Sequence, residues 1–527
     1  MKKFIAISAI AAIATMGFAS EADIKAELEA LKKEVEALKK AQEKINVKAL
    51  KKQISALKAK TGGDNLKWNV DFRTAYDVIG YKYTNGKTDY NQILTNRLWL
   101  GMAYAPKDNI VFKGLLSYYK AYGQMTNTFG ANFNYFDWIV NETPNPNGEL
   151  RVKEAYWLYF GDNFLGADIP WTASFGRRPA TDGLLASYRE DQKPKSPLGH
   201  IINTEFDGAS FKFNLENVTD VPGMYFKLCM GRGMTNANIR YASITPGFVY
   251  GSANTSRADL AISGSGSEYT KVDDFKSTDL AGFIFVPYDD GQYSVHTTAF
   301  KAWELPGIVF SGYMDLNGNN QHDPNEPSAG NFEQVGDMYG AAISLLAQGI
   351  GDGINDFLDD TNAFISFAWS KTDPKSDKQM LGMYVDTDGD NNPDTLLGAD
   401  FGESKSGTSI YVGTNFPLDV IMDGARMGLE YNHGSRYWRS FTYAEDTLAG
   451  SKLAARGDAY EAWITKELIG KTLTAQLRYT YINYKYTGSN GFFANGGTPI
   501  KVEDAEDMGM TTVDKASDLR FYIRYRY

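Results

Sequence analysis

Leu519-Arg-Phe-Tyr-Ile-Arg-Tyr-Arg-Tyr527 alternates without interruption. Successive side chains of a strand point to opposite sides, so Leu519, Phe521, Ile523, Tyr525 and Tyr527 share one face and Arg520, Tyr522, Arg524 and Arg526 the other. One face suits hydrocarbon and the other suits water. A strand of this pattern ending on an aromatic residue looks like the sorting signal read by the outer-membrane assembly machinery. The expectation is a transmembrane β-barrel.

Working back from that strand, the same period of two can be followed through sixteen segments. They begin at 66–78 and 91–105, pass through 291–301, 332–347, 422–432 and 471–484, and end at 517–527. Their lengths bracket the ~9–11 residues that a tilted strand needs to cross a bilayer. An even count suits antiparallel closure, which leaves no exposed edge. Connections after even-numbered segments are short, as at Asn217–Pro222, Asp289–Asp290 and Gly470. Those after odd-numbered segments are long, reaching about forty-five residues between Gly233 and Ser277. Short turns on the periplasmic side and long loops outside are the outer-membrane pattern. An extra hairpin in Ile239–Tyr250 would raise the count to eighteen. The 33 tyrosines, within 14% aromatic residues, suit the interfacial girdles of such a barrel or simply the preference of tyrosine for strands.

The first residues read differently. Lys2 and Lys3, an apolar run from Phe4 to Phe18 and small residues before Ser20 predict an export signal over 1–19, too short to be a spanning helix. From 20 to 61, Ile24, Leu28, Leu31, Val35 and Leu38 recur at heptad spacing. After a slip near Asn46 they are followed by Val47, Leu50, Ile54 and Leu57, and Gly62 and Gly63 end the pattern. This predicts a periplasmic α-helical coiled coil that pairs with copies of itself, a trimer being one option, or lies singly on the barrel mouth. The barrel then occupies 64–527. Residues 1–61 carry 13 Lys and 7 acids and the remainder 41 basic and 57 acidic residues, a split of +6 and −16. The acidic larger part excludes a nucleic-acid binder.

Enzymatic chemistry finds little purchase. Cys229 stands alone, which removes disulfides, c-type haem attachment and thiolate metal clusters. His200, His296, His322 and His433 show no paired-ligand spacing, and neither a nucleotide-cradling Gly-rich loop nor a hydrolase elbow is present.

NRLWLGMAYAP at 96–106, FGRRPATDG at 175–183, SPLGHIIN at 196–203, EFDGASFKFNLE at 205–216 and PGMYFKLCMGRG at 222–233 resemble an uncharacterised family of epsilonproteobacterial outer-membrane porin-like proteins, catalogued as a domain of unknown function. The resemblance runs from about Trp68 to the carboxyl end. It implies an outer-membrane location and brings no substrate or catalytic residues.

If Leu519, Phe521 and Ile523 face lipid, Arg520, Arg524 and Arg526 face the lumen, and the same phase turns Arg73, Arg97, Arg426 and Arg478 inward. Guanidinium groups on an aqueous wall favour anionic solutes; alternatively they pair with Asp71, Asp77 and Glu430 and brace the wall. Arg177, Arg178, Arg189, Lys193, Lys195 and His200 fall within the third long loop. By resemblance to general sixteen-stranded porins, that loop either folds into the lumen as a constriction or lies flat on the rim.

Two segments resemble calcium loops. Asp315, Asn317, Asn319, Gln321, Asp323 and Glu326 hold the first, third, fifth, seventh, ninth and twelfth positions of an EF-hand loop, with Asn320 where glycine is usual. Asp386, Asp388, Asp390, Asn392 and Asp394 repeat the first nine positions, but Leu397 stands at the twelfth. The alternative is an ordinary Asp/Asn/Gly-rich loop.

The functional expectation is a porin-like channel, not an enzyme, passing small hydrophilic solutes through the outer membrane, with structural Ca2+ in its external loops. An adhesin or structural anchor using those loops and the coiled coil is the alternative. If calcium staples the two loops, it slows their proteolysis; identical cleavage rates with calcium and with a chelator would contradict the assignment.

Overall fold

The structure, a computed structural model, describes residues 67–123, 138–145, 148–179, 197–234, 277–313, 328–351, 353–385, 394–442, 446–491, 493–508 and 510–527. Leu66–Tyr104 and Asn109–Tyr527 form one unit, the barrel; residues 1–65 and Ala105–Asp108 belong to another. The export signal and the coiled coil lie outside the described residues.

The wall consists of β1 (Lys67–Tyr83), β2 (Thr88–Lys107), β3 (Ile110–Ala121), β4 (Arg151–Gly161), β5 (Trp171–Pro179), β6 (Glu205–Asn214), β7 (Tyr225–Met234) and β8 (Thr278–Asp289). It continues with β9 (Tyr293–Tyr313), β10 (Ser328–Gln348), β11 (Asn362–Pro374), β14 (Ser406–Pro417), β15 (Ala425–Gly434), β16 (Gly457–Ile469), β17 (Leu473–Tyr484) and β19 (Val513–Arg526). A hairpin, β12 (Gly382–Val385) and β13 (Thr395–Gly398), and the short β18 (Phe493–Ala494) lie in loops. Each wall strand runs antiparallel to its neighbours, and β1 pairs with β19 from Asp71↔Arg526 to Tyr83↔Val513, which closes the ring. Closure matters because an open edge in hydrocarbon would leave a row of backbone N–H and C=O groups without partners.

The count is sixteen. β7 pairs directly with β8, from Tyr225↔Val286 to Met234↔Thr278, so the long connection 235–277 adds no strand to the wall there and eighteen is corrected to sixteen. The connection between the first two strands also departs from expectation. β1 and β2 continue to a four-residue turn over 84–87, where Gly86 (φ 79°) takes the left-handed conformation and its N–H donates to the Tyr83 carbonyl. Asn85-Gly86 is a strong hairpin signal, and it shortens the long first loop to a tight turn. β9 and β10 reach 21 residues each, beyond the segments 291–301 and 332–347 and beyond what a bilayer needs.

The alternation decides which face meets lipid. In β19, Leu519, Phe521, Ile523 and Tyr525 are exposed, whereas Arg520, Tyr522 and Arg524 are buried. The exposed apolar row continues through Phe72, Tyr76, Leu429, Tyr460, Leu477 and Tyr479 and forms the outer surface. Tyr431, Tyr460 and Tyr481 line up across β15, β16 and β17, with ring centroids 5.1 and 6.4 Å apart. They sit near one mouth, and Trp68, Tyr525 and Tyr527 are exposed near the other. This is the arrangement of interfacial aromatic girdles. Among the described residues no helix is long and apolar enough to cross a membrane, which says nothing against crossing by strands.

Inside, one half of the barrel is apolar. Phe206, Leu280, Ile284, Phe300, Leu305, Val335 and Met338 point inward from β6, β8, β9 and β10. They pack against Trp138, Ile201, Met380, Trp438, Phe441 and Phe493 from five connections at the mouth that carries the longer loops. Gly340 makes room for this packing, since a Cβ there would collide with Phe300 and lie 3.0 Å from Ile201. Loops thus fill this side of the interior with a hydrophobic core, because burial of apolar surface favours their folding inward.

Candidate functional site

Another side of the interior carries a charged seam where β17, β19, β1 and β2 run side by side, next to a smaller apolar cluster that includes Ile79, Ala459, Ile482 and Ala516. The ladder register sets Arg73 directly opposite Arg97, and Arg478 directly opposite Arg520. Like charges directly across a pair of strands repel. Asp446, carried by the connection between β15 and β16, resolves both oppositions. Arg73 donates to its two carboxylate oxygens at 2.5 and 2.8 Å, Arg520 to Oδ1 at 3.1 Å, Arg97 to Oδ1 at 3.4 Å and Arg478 to Oδ2 at 3.5 Å. The Asp446 carbonyl accepts from Arg520 at 2.5 Å and from Arg478. Burial alone would raise the Asp446 carboxyl, but Arg73, Arg520, Arg97 and Arg478 outweigh it and hold the group well below the usual carboxylate range. It is ionised at any physiological pH.

Cross-strand pairs flank this cup. Arg520 also donates to Asp77, and Arg524 holds Asp71 through Nε at 2.8 Å and through its second arm. Aromatic faces line the arginines: the Arg97 guanidinium lies 3.7 Å from the Trp99 ring centroid and Arg73 is 5.4 Å from that of Tyr522. Six residues after Asp446, the same connection delivers the opposite charge to the opposite need. Lys452 reaches Glu461 at 2.9 Å and also Glu430, two carboxylates on neighbouring inward rows of β15 and β16. Tyr411 donates to Glu430 at 2.6 Å and Thr480 to Glu461 at 2.8 Å. Glu430 therefore pairs with a loop lysine rather than with a wall arginine.

The third long loop is described from Pro197 onward, and this part lies inside the barrel. His200 and Ile201 are fully buried. The Phe441 N–H donates to the Ile201 carbonyl at 2.7 Å, and the Asn203 N–H donates back to the Phe441 carbonyl at 3.0 Å, which couples this loop to the one bearing Asp446. The His200 ring is pinned between Ser366 at 3.0 Å and Ser409 at 2.8 Å. Because the Ser409 hydroxyl donates to Asn432 Oδ1 at 2.9 Å, it accepts from His200 Nε2, and Nδ1 accepts from Ser366. His200 is thus a neutral pin and not one of the loop's charges. Burial pushes its pKa down to about 3.

The remaining candidates divide. Arg177 and Arg178, as neighbours on β5, must face opposite ways. Arg177 shares its row with Phe175, which stacks on the exposed Trp157 at 4.8 Å, and it pairs with Asp207 at 3.4 Å. Arg178 turns to the other side, beside Ile202 and Phe206. Arg177 and Arg178 thus stand on β5 and not in the third long loop. Arg426 sits near the short-turn mouth, donating to the Asp360 carbonyl at 2.6 Å and to Asn415 at 2.8 Å; Arg526 ends the inward row of β19, half-buried. Arg189, Lys193 and Lys195 lie outside the described residues, as do Asp315, Asn317, Asn319, Gln321, Asp323, Glu326, Asp386, Asp388, Asp390 and Asn392. The pairs Tyr313↔Ser328 and Val385↔Thr395 flank the two calcium-loop segments. Asp394 is exposed and accepts from the Thr395 hydroxyl at 3.1 Å.

A closed sixteen-stranded wall with an apolar outer face and a charged inner seam defines a transmembrane β-barrel protein. The chain belongs to the family described as Protein of unknown function (DUF3373), which it matches over residues 87–527. No curated protein matches it. Solved structures similar to it include the anion-selective porin of Comamonas acidovorans (9% identity, 88% of this chain and 100% of that one, TM-score 0.42). OprB of Pseudomonas putida (14%, 89% and 96%, TM-score 0.41) and a loop-deletion form of OmpT of Vibrio cholerae (11%, 88% and 99%, TM-score 0.40) are also similar. The likeness is of barrel to barrel.

The neutral histidine makes acid stability testable. His200 stays unprotonated in the fold down to about pH 3, whereas the unfolded chain takes up its proton near 6.5. Its contribution is complete above 6.5 and is lost as pH falls toward 3, at about 1.4 kcal/mol per pH unit. Denaturant unfolding in detergent between pH 7 and 4 should show His200→Gln losing stability less steeply than the wild type by roughly that slope; equal slopes would place the charged form of His200 in the fold.

Proposed function

We propose that this protein is a porin-like channel of the outer membrane of a Gram-negative bacterium, passing small hydrophilic solutes by passive diffusion with a preference for anions. The observation that carries the reading is the inner seam of arginines within a wall whose outer face is apolar. An aqueous path past guanidinium groups in a low-dielectric wall raises the local concentration of anions. The neutral pin at His200 and the inward packing of Ile201, Trp438 and Phe441 support loops that narrow the lumen.

The epsilonproteobacterial provenance implied by the resemblance, the export signal, a periplasmic coiled coil joining copies into a homo-oligomer and the two calcium-bound hairpin tips belong to the same proposal. So does the absence of enzymatic activity. The described loops turn inward, which speaks for a conduit over an adhesin. In planar bilayers the purified mature protein should give discrete conductance steps, and a KCl gradient should give a zero-current potential of the sign set by chloride. A folded barrel without steps would overturn the channel, and a potential set by potassium would overturn the anion preference.

A further inference from the structure

We propose that Arg73, Arg97, Arg478 and Arg520 form a binding site for small carboxylate solutes, and that Asp446 is its tethered occupant. The proposal deepens the channel reading and rests on it.

The geometry is that of carboxylate recognition. Arg73 presents the fork to both oxygens of Asp446, at 2.5 and 2.8 Å, while Arg520 and Arg97 approach Oδ1 and Arg478 approaches Oδ2. Paired N–H donors in one plane select a planar, two-oxygen anion over a spherical one. Bracing alone does not require this arrangement. Where the wall is braced, a carboxylate on the adjacent strand serves, as Asp71 does for Arg524 and Asp77 for Arg520. Arg73 facing Arg97 and Arg478 facing Arg520 instead place two like-charge oppositions in one cup, and their counter-charge is brought from the β15–β16 connection. Of the four, Arg520 also has Asp77 on the wall, whereas Arg73, Arg97 and Arg478 share the carboxylate that the loop brings, and a cup supplied from a loop is open to exchange of that anion.

A cavity of about 110 Å3 lies among three connections beside Asp446, lined by Thr447, Leu448, Ser451, Ser489 and Asn490. Ile139, Glu142, Arg439 and Ala454 also line it, and the Asp446 side chain keeps 15% of its surface exposed. A ligand held on a short tether competes at an effective concentration on the order of millimolar or higher. The free solute therefore enters the wild-type cup only in competition with Asp446.

The test uses the purified full chain in planar bilayers, with acetate added at constant ionic strength as a blocker of the chloride current. Asp446→Asn should lower the half-blocking acetate concentration about tenfold and shift the zero-current potential in a KCl gradient further toward chloride. Equal half-blocking concentrations and equal potentials in two conducting channels would overturn the site while leaving the channel intact. No conductance from either protein would overturn both. A measurement on the wild type alone covers the case in which the variant does not fold: concentrated acetate should displace Asp446 and speed tryptic cleavage within 435–456 relative to equal chloride. Equal cleavage rates would overturn the proposal.

Discussion

Four guanidinium groups on four adjacent strands converge on the carboxylate of Asp446, and the rest of the interior is arranged around that convergence. The seam joins the first strand to the last, so it is where the ring closes. Closing it sets Arg73 opposite Arg524 and brings the Arg73–Arg97 and Arg478–Arg520 pairs side by side. Bulk water would screen those repulsions, but the four side chains are buried where the connection covers the seam, and screening there is weaker. A buried charge without a partner costs several kcal/mol, so the wall and the β15–β16 connection depend on each other. The same connection gives Lys452 to Glu430 and Glu461. It is fastened at both ends of its inward excursion by charges of opposite sign, and a shift in its register would misplace both.

The apolar half of the lumen follows from the same economy of space. Once the connections enter the barrel, their backbone must find partners and their side chains must pack. Met380 accepts from the Ala494 N–H at 2.8 Å, and β18 runs parallel to β9 at Gly307 and Ile308. These contacts anchor one loop on another and both on the wall. Trp138, Trp438 and Phe441 fill the space between them. The result is a barrel whose interior holds both a hydrophobic core that fixes the loops and a charged seam.

Much of the wall was legible from a period of two, because a strand that separates lipid from a lumen must alternate. The phase read from Leu519 to Tyr527 carries over to β1, β2 and β17 for that reason. Asn85-Gly86 marks a tight turn that the loop-length pattern obscured. Arg177 and Arg178 could have been separated by the same alternation that sorted the other arginines. Asp446 and Lys452 were not legible. Each sits in an irregular connection, and its partners are brought together by closure and register rather than by local spacing. His200 was legible only as a residue of the third long loop, because nothing in its neighbourhood of lysines shows that Ser366 and Ser409 enclose it.

The central claim is that solutes pass the arginine seam, and swelling of proteoliposomes in isotonic solutions of size-matched sugars tests it most directly. Gluconate, glucose and glucosamine differ chiefly in charge. The account predicts swelling in the order gluconate, glucose, glucosamine, with the spread narrowing at high salt as the seam is screened. No swelling with any of the three, or fastest entry of glucosamine, would contradict it.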